Sequence, residues 1–148
     1  MILDLSAGYR HVWHDKNREG VIFLDRRPEC KPTVICDTRA LPFKSLSPEL
    51  VVFDPPHEAT GTGKMSDRYG VYRHRSEILD IILRTSKNAA RVCPSGTLMS
   101  LKWNDHAWPL AGALALMPDW EPLFGHGTRI PGRHKSQTTW VMLRRRLT

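Results

Sequence analysis

Short apolar runs recur along the chain, and each is closed by a polar or turn-forming residue. Residues 1–5 form the first, ending at Ser6-Ala7-Gly8; residues 21–24 the second, ending at Asp25; residues 33–36 the third, ending at Asp37; and residues 50–53 the fourth, ending at Asp54-Pro55-Pro56. Their apolar character is continuous rather than alternating, which predicts parallel strands buried on both faces. A helix is expected over 9–19, with Gly20 as its stop. The next two connections are too short for full helices, so the pattern predicts a trimmed, doubly wound α/β sheet. Ser76 is the expected cap of a helix running to about Val92, with Ile78, Leu79, Ile81, Ile82, Ala89 and Ala90 as its apolar stripe. Pro94-Ser95-Gly96 breaks that helix. A fifth strand is expected over 97–103, a short helix over 108–117, and two last strands over 120–124 and 138–143.

In open α/β sheets ligands bind just beyond the carboxyl ends of the strands, where this chain places acidic residues repeatedly. Gly8 lets a ligand approach the backbone closely. Asp25 follows it by seventeen residues, near the spacing of an acid that holds ribose hydroxyls, although the G-x-G-x-x-G fingerprint is absent. Asp37 can accept from an exocyclic amine, and each of these acids is equally suited to capping a turn. The fourth strand end is more specific. In Asp54-Pro55-Pro56-His57 two prolines withhold N–H donors, leaving a carboxylate and a carbonyl as a rigid acceptor pair for an –NH2 group.

These motifs, from Ile2-Leu3-Asp4-Leu5-Ser6-Ala7-Gly8 through Asp25 and Asp37 to Asp54-Pro55-Pro56-His57, resemble the class I S-adenosylmethionine-dependent methyltransferases. Within them the resemblance is to the DPPY-type amino-methyltransferases of nucleic acids, marked by Asp/Asn/Ser-Pro-Pro and an aromatic residue. The resemblance implies a minimal Rossmann-like fold: a mostly parallel seven-stranded sheet in the order 3-2-1-4-5-7-6, strand 7 antiparallel, with helices on both faces. It implies S-adenosyl-L-methionine as cofactor. Asp4, Ser6, Ala7 and Gly8 would hold its methionine part, Asp25 and Arg26 its ribose, and Asp37 with Thr38 or Leu41 its adenine. Asp54, Pro55 and Pro56 would grip the target amine, and His57 would stack on the base. The family turn carries a second glycine where Arg10 stands, and His57 replaces the commoner Tyr, Phe or Trp.

Composition adds a direction. The 148 residues hold 22 Lys+Arg and 15 Asp+Glu, a net +7. Residues 1–56 are neutral, with eight basic and eight acidic side chains, so the whole excess lies in 57–148. One domain, 1–148, is expected, with a cofactor half before the Pro-Pro turn and a basic, substrate-side half after it. Candidates for contact with nucleic acid are Lys64, Arg68 and Arg73 in a loop over 57–75, Lys102 and Asn104 at the end of the fifth strand, and Arg129, Arg133 and Lys135 in the last hairpin. Trp103 is either a stacking platform or a core residue. Arg144-Arg145-Arg146 is either a solvated tail or part of that surface. Gly61-Thr62-Gly63-Lys64 is not a P-loop, since Met65 follows it and no strand precedes it.

Cys30, Cys36 and Cys93 contain no Cys-x-x-Cys pair, so neither a zinc site nor a disulfide framework is expected, and the setting is reducing and cytoplasmic. No apolar stretch is long enough to span a membrane, and no targeting leader is expected. The expected activity is methylation of an exocyclic base amine, adenine N6 in DNA first. An RNA base, a small-molecule acceptor, or service as a non-catalytic subunit of a larger methyltransferase are the alternatives. A chain this short leaves little room for target recognition, which a homodimer or a separate subunit would supply.

Overall fold

The computed structural model describes residues 1–57, 71–105, 108–128 and 137–147. Seven strands form one sheet in the order β3-β2-β1-β4-β5-β7-β6. They are β1 (Ile2–Asp4), β2 (Val21–Asp25), β3 (Val34–Ile35), β4 (Leu50–Phe53), β5 (Leu98–Asn104), β6 (Trp120–Thr128) and β7 (Thr138–Arg145). Strands β1 to β5 pair in parallel, and β7 runs antiparallel between β5 and β6. Order and directions are those expected. The last two strands run longer than their apolar patterns, because the hairpin continues into polar positions that alternate between its faces.

Among the described residues two α-helices, α1 (Arg75–Val92) and α2 (Leu110–Ala115), contribute to one core. Ile78, Ile82 and Ala89 of α1 and Ala113 of α2 bury themselves with Leu3, Leu24, Val51, Phe53, Met99, Leu101 and Trp103 in one core. Trp103 is therefore a core residue, its Nε1–H donating to the Trp108 carbonyl at 2.9 Å. The Ser76 cap is not formed. The helix starts two residues earlier than that cap implies, at Arg75 after an extended His74, and Glu77 in its first turn answers the helix dipole. Its length follows the apolar stripe.

The helix expected over 9–19 is replaced by a chain of turns. Arg10 sits in the left-handed region at φ 58, and the Asp15 carboxylate takes the Asn17 N–H that a helix would direct to a backbone carbonyl. Trp13 turns its ring edge onto Phe23, forming with Ala7, Val21 and Ile2 a small second core on the face away from α1. So β1 and β2 are covered there by turns rather than by a helix. No described helix is long and apolar enough to cross a membrane.

Arg10 thus adopts the conformation for which the resembling turn carries glycine. Its guanidinium donates to the carbonyls of Lys16 at 2.5 Å and Lys31 at 2.7 Å, and lies 4.1 Å from the centre of the Phe23 ring. These contacts offset a left-handed penalty of roughly 1–2 kcal/mol for a residue with a Cβ. Arg10→Ala, which keeps the penalty and loses the contacts, will therefore be less stable than Arg10→Gly by about 1 kcal/mol in urea unfolding.

Candidate active site

The carboxyl ends of β1, β2, β3 and β4 open into one cleft enclosing about 810 Å³, the outer solvent included. Its wall is made by Leu5–Gly8 backbone, Asp25–Arg27, Cys36–Arg39, Phe53–Pro56, Tyr72 and Ile81.

Two turns meet at its centre. The Asp54 N–H donates to Ser6 Oγ at 2.7 Å, and the Leu5 N–H donates to the Val52 carbonyl at 2.9 Å. Ala7 is tied to β2 through the Leu24 carbonyl, and Gly8, at φ 49, donates its N–H to Asp25 Oδ2 at 2.9 Å. The first turn is thereby held from both sides, by β4 and by β2.

Four carboxylates surround this junction, and three have a cation against them. Asp25 receives the Arg27 guanidinium at 3.1 Å as well as the Arg27 N–H. Asp37 receives Arg39 in the same way, and Arg39 reaches on to Asp80 of α1 at 3.0 Å. This guanidinium and its hydrogen bonds hold the Asp37 carboxyl below the usual carboxylate range. Asp54 Oδ2 receives Lys102 Nζ of β5 at 2.8 Å. Its other oxygen, Oδ1, is buried without a hydrogen-bond partner among the described residues.

Asp4 is different. It lies beneath the cleft, 1% exposed, and accepts from the Trp13 indole at 2.7 Å and the Ser6 N–H at 3.0 Å, both neutral donors. Burial raises its pKa to about 6 against those hydrogen bonds, and the charges of Asp54 and Asp25 push the same way.

The structure brings Ser6, Ala7, Gly8, Asp25, Arg26, Asp37, Thr38, Asp54, Pro55 and Pro56 to the cleft. Arg26 lies over Tyr72, and Thr38 Oγ1 is bonded to Thr85 Oγ1 of α1 at 3.2 Å. Leu41 is not at the cleft; it is buried in the main core, its carbonyl accepting from Arg91. His57 sets its ring edge-on to Trp103 at 6.3 Å. Of the basic candidates, Arg73 is exposed, Lys102 faces Asp54, and the Asn104 amide donates to Thr138 Oγ1. Lys64, Arg68, Arg129, Arg133 and Lys135 lie outside the described residues.

Arg144 and Arg145 belong to β7 rather than to a tail. Arg144 pairs with Glu121, while Arg145 and Arg146 donate to the carbonyls of Ala90 and Pro118. Sequence reasoning missed the cations of the cleft. Their signal was an Asp-x-Arg repeat, at Asp25–Arg27 and again at Asp37–Arg39.

No family model and no curated protein matches the chain. Solved structures do. A SAM-dependent methyltransferase from Methanosarcina mazei superposes with a TM-score of 0.70 at 12% identity, covering 99% of this chain and 92% of that one. The fold is the Rossmann-like methyltransferase fold. TrmN from Thermus thermophilus is similar over 97% of this chain and 43% of its own, at 14% identity and TM-score 0.61. So is the [4+2]-cyclase SpnF, over 99% and 75%, at 9% identity and TM-score 0.66. The methyltransferase fold therefore does not by itself name the reaction, which has to be argued from the cleft.

Asp4 supplies a measurable signature of this buried junction. Its folded-state pKa of about 6 lies above the 3.8 of the free side chain, so between those values the folded chain holds a proton that the unfolded chain has lost. Its contribution to stability is complete below pH 4, falls as the pH climbs to about 6, and is constant above. Asp4→Asn cannot ionise. Urea unfolding at pH 4.5 and pH 7.5 will show the variant gaining on the wild type with rising pH, by roughly 2 kcal/mol.

Proposed function

We propose that this protein is a SAM-dependent N-methyltransferase whose acceptor is an exocyclic amino nitrogen of a nucleic-acid base, adenine N6 in DNA before an RNA base. One observation carries the reading: Asp54 Oδ1, a buried carboxylate oxygen in the wall of the cleft, has no partner among the described residues. Burying such an acceptor is costly unless something completes it. An –NH2 group does so, giving one N–H to Oδ1 and the other to the Pro55 carbonyl, where the prolines offer no competing donor.

The cleft also suits the cofactor. Its carboxylates complement a sulfonium and an ammonium group, and apolar Leu5, Phe53 and Ile81 lie beside them. Asp25 would receive the ribose hydroxyls by exchanging part of its Arg27 contacts, since its two oxygens already accept four hydrogen bonds from Gly8 and Arg27. Asp37 and Thr38 would face the adenine. When bound, the cofactor supplies a methyl group activated by the sulfonium charge.

The chain's own part is positioning. An amino group conjugated to a base ring has its lone pair delocalised and is a poor nucleophile. Two acceptors fixed to a rigid turn pull its hydrogens into one orientation, freeing the lone pair on the opposite side, and the proton released leaves through Asp54 Oδ1 or water. His57 would stack on the base once it is turned out of the helix. The net +7, all of it beyond residue 56, supports a polyanionic substrate. A homodimer or a separate subunit would complete target selection in a chain of this length.

The non-catalytic alternative is favoured by a different feature: both ribose- and adenine-side carboxylates already hold an arginine. That alternative is a non-catalytic cofactor- or nucleic-acid-binding subunit of a larger methyltransferase, and methyl transfer separates it from the enzyme: the enzyme labels a polymer, the subunit alone does not.

Protein given methyl-labelled cofactor with DNA or RNA will place label on a polymer, recovered after digestion as N6-methyladenine. Asp54→Ala will cut transfer at least about a hundredfold while cofactor affinity stays within about threefold. Label on neither polymer, or full transfer by the variant, overturns the proposal.

A further inference from the structure

Lys102 was a candidate for contact with nucleic acid, yet its ammonium is directed inward. It leaves β5 opposite Trp140 of β7, passes 5.9 Å from the centre of that ring, and ends 2.8 Å from Asp54 Oδ2. The Asp54 side chain is 9% exposed and that of Lys102 22%, so the pair is screened from bulk water. Asp54 therefore has three fixed points. Its N–H is on Ser6 Oγ, its Oδ2 is on Lys102, and its Oδ1 is buried with no hydrogen-bond partner among the described residues.

We propose that Lys102 is a positioning residue for Asp54, and that the pair it forms makes the acceptor selective for a neutral amine over an alkylammonium ion. The inference rests on the N-methyltransferase reading above and narrows its substrate class.

A buried carboxylate with no cation beside it is stabilised by protonation or by capturing a positive group. Free to rotate, Asp54 would offer its two oxygens in no fixed order. The ammonium prevents this, because it occupies one oxygen. It also changes what the other oxygen attracts. An acid alone prefers an ammonium ion, whereas an acid already paired with lysine offers directional hydrogen bonding and little net charge. A protonated alkyl amine approaching Oδ1 would meet Lys102 as a like charge across one carboxylate, while the uncharged amino group of a base would not.

Arginine at 102 keeps the charge and can still donate to Oδ2; methionine keeps the apolar stem and removes the charge. The experiment uses the wild type, Lys102→Met, Lys102→Arg, Asp54→Asn and the Lys102→Met/Asp54→Asn double variant, each measured by urea unfolding and by methyl transfer to DNA and RNA. Lys102→Met will lower the unfolding midpoint when Asp54 is present and leave it nearly unchanged in the Asp54→Asn background, because a neutral amide needs no cation. In transfer, Lys102→Met will lower kcat by about thirtyfold with the KM for cofactor changed less than about threefold, and Lys102→Arg will restore at least a third of wild-type kcat.

An equal midpoint loss in both backgrounds overturns the pairing. Wild-type kcat in Lys102→Met overturns the positioning role. A wild type that transfers to no polymer overturns the N-methyltransferase reading and the amine selectivity with it, while the unfolding cycle still decides whether Lys102 holds Asp54.

Discussion

The hydrogen bond from the Asp54 N–H to Ser6 Oγ is the contact on which the rest of the cleft depends. It ties the turn after β1 to the turn after β4, two loops that central, adjacent parallel strands deliver to the same edge. From Ser6 the chain continues to Gly8, whose N–H reaches Asp25 on the other flank. From Asp54 the side chain reaches Lys102 on β5. One short contact thus connects four neighbouring strands, and the turns that line the cleft become parts of a single edge.

Charge is distributed around this edge by a simple rule. Acids near the rim are closed by arginines two residues along the chain, where an Asx-type turn already brings the side chain back. The acid closest to the proposed chemistry takes its cation from another strand, so that only one oxygen is used. The innermost acid, Asp4, has an indole and an amide instead, and burial rather than pairing governs its proton.

The strands were legible because buried parallel strands are continuous apolar runs, and residues 50–53 were placed without error. The strand-end acids were legible for the same reason: they are the first polar residues after those runs. The turn segment was not. Residues 9–19 have a composition compatible with a helix, and what diverts them is tertiary: Trp13 needed at Phe23 and Asp4, and Arg10 anchored to Lys16 and Lys31. The pairing of Lys102 with Asp54 was not legible for a related reason. A lysine on a strand that alternates inward and outward is ordinarily solvated, and only the register of β5 against β4 sets it beside Asp54. Leu41 shows the converse, a residue matched by motif position that local packing draws into the core.

The Ser6–Asp54 contact joins residues 48 positions apart in sequence, across strands that are parallel and so cannot pair through a hairpin. While the chain is being made, β1 and β2 with their turns precede the partner that locks them, and the junction closes only after β4 has emerged. Closing so long a loop is slow compared with helix formation. The helix α1 is built from local sequence, whereas this edge needs a contact between residues 48 positions apart.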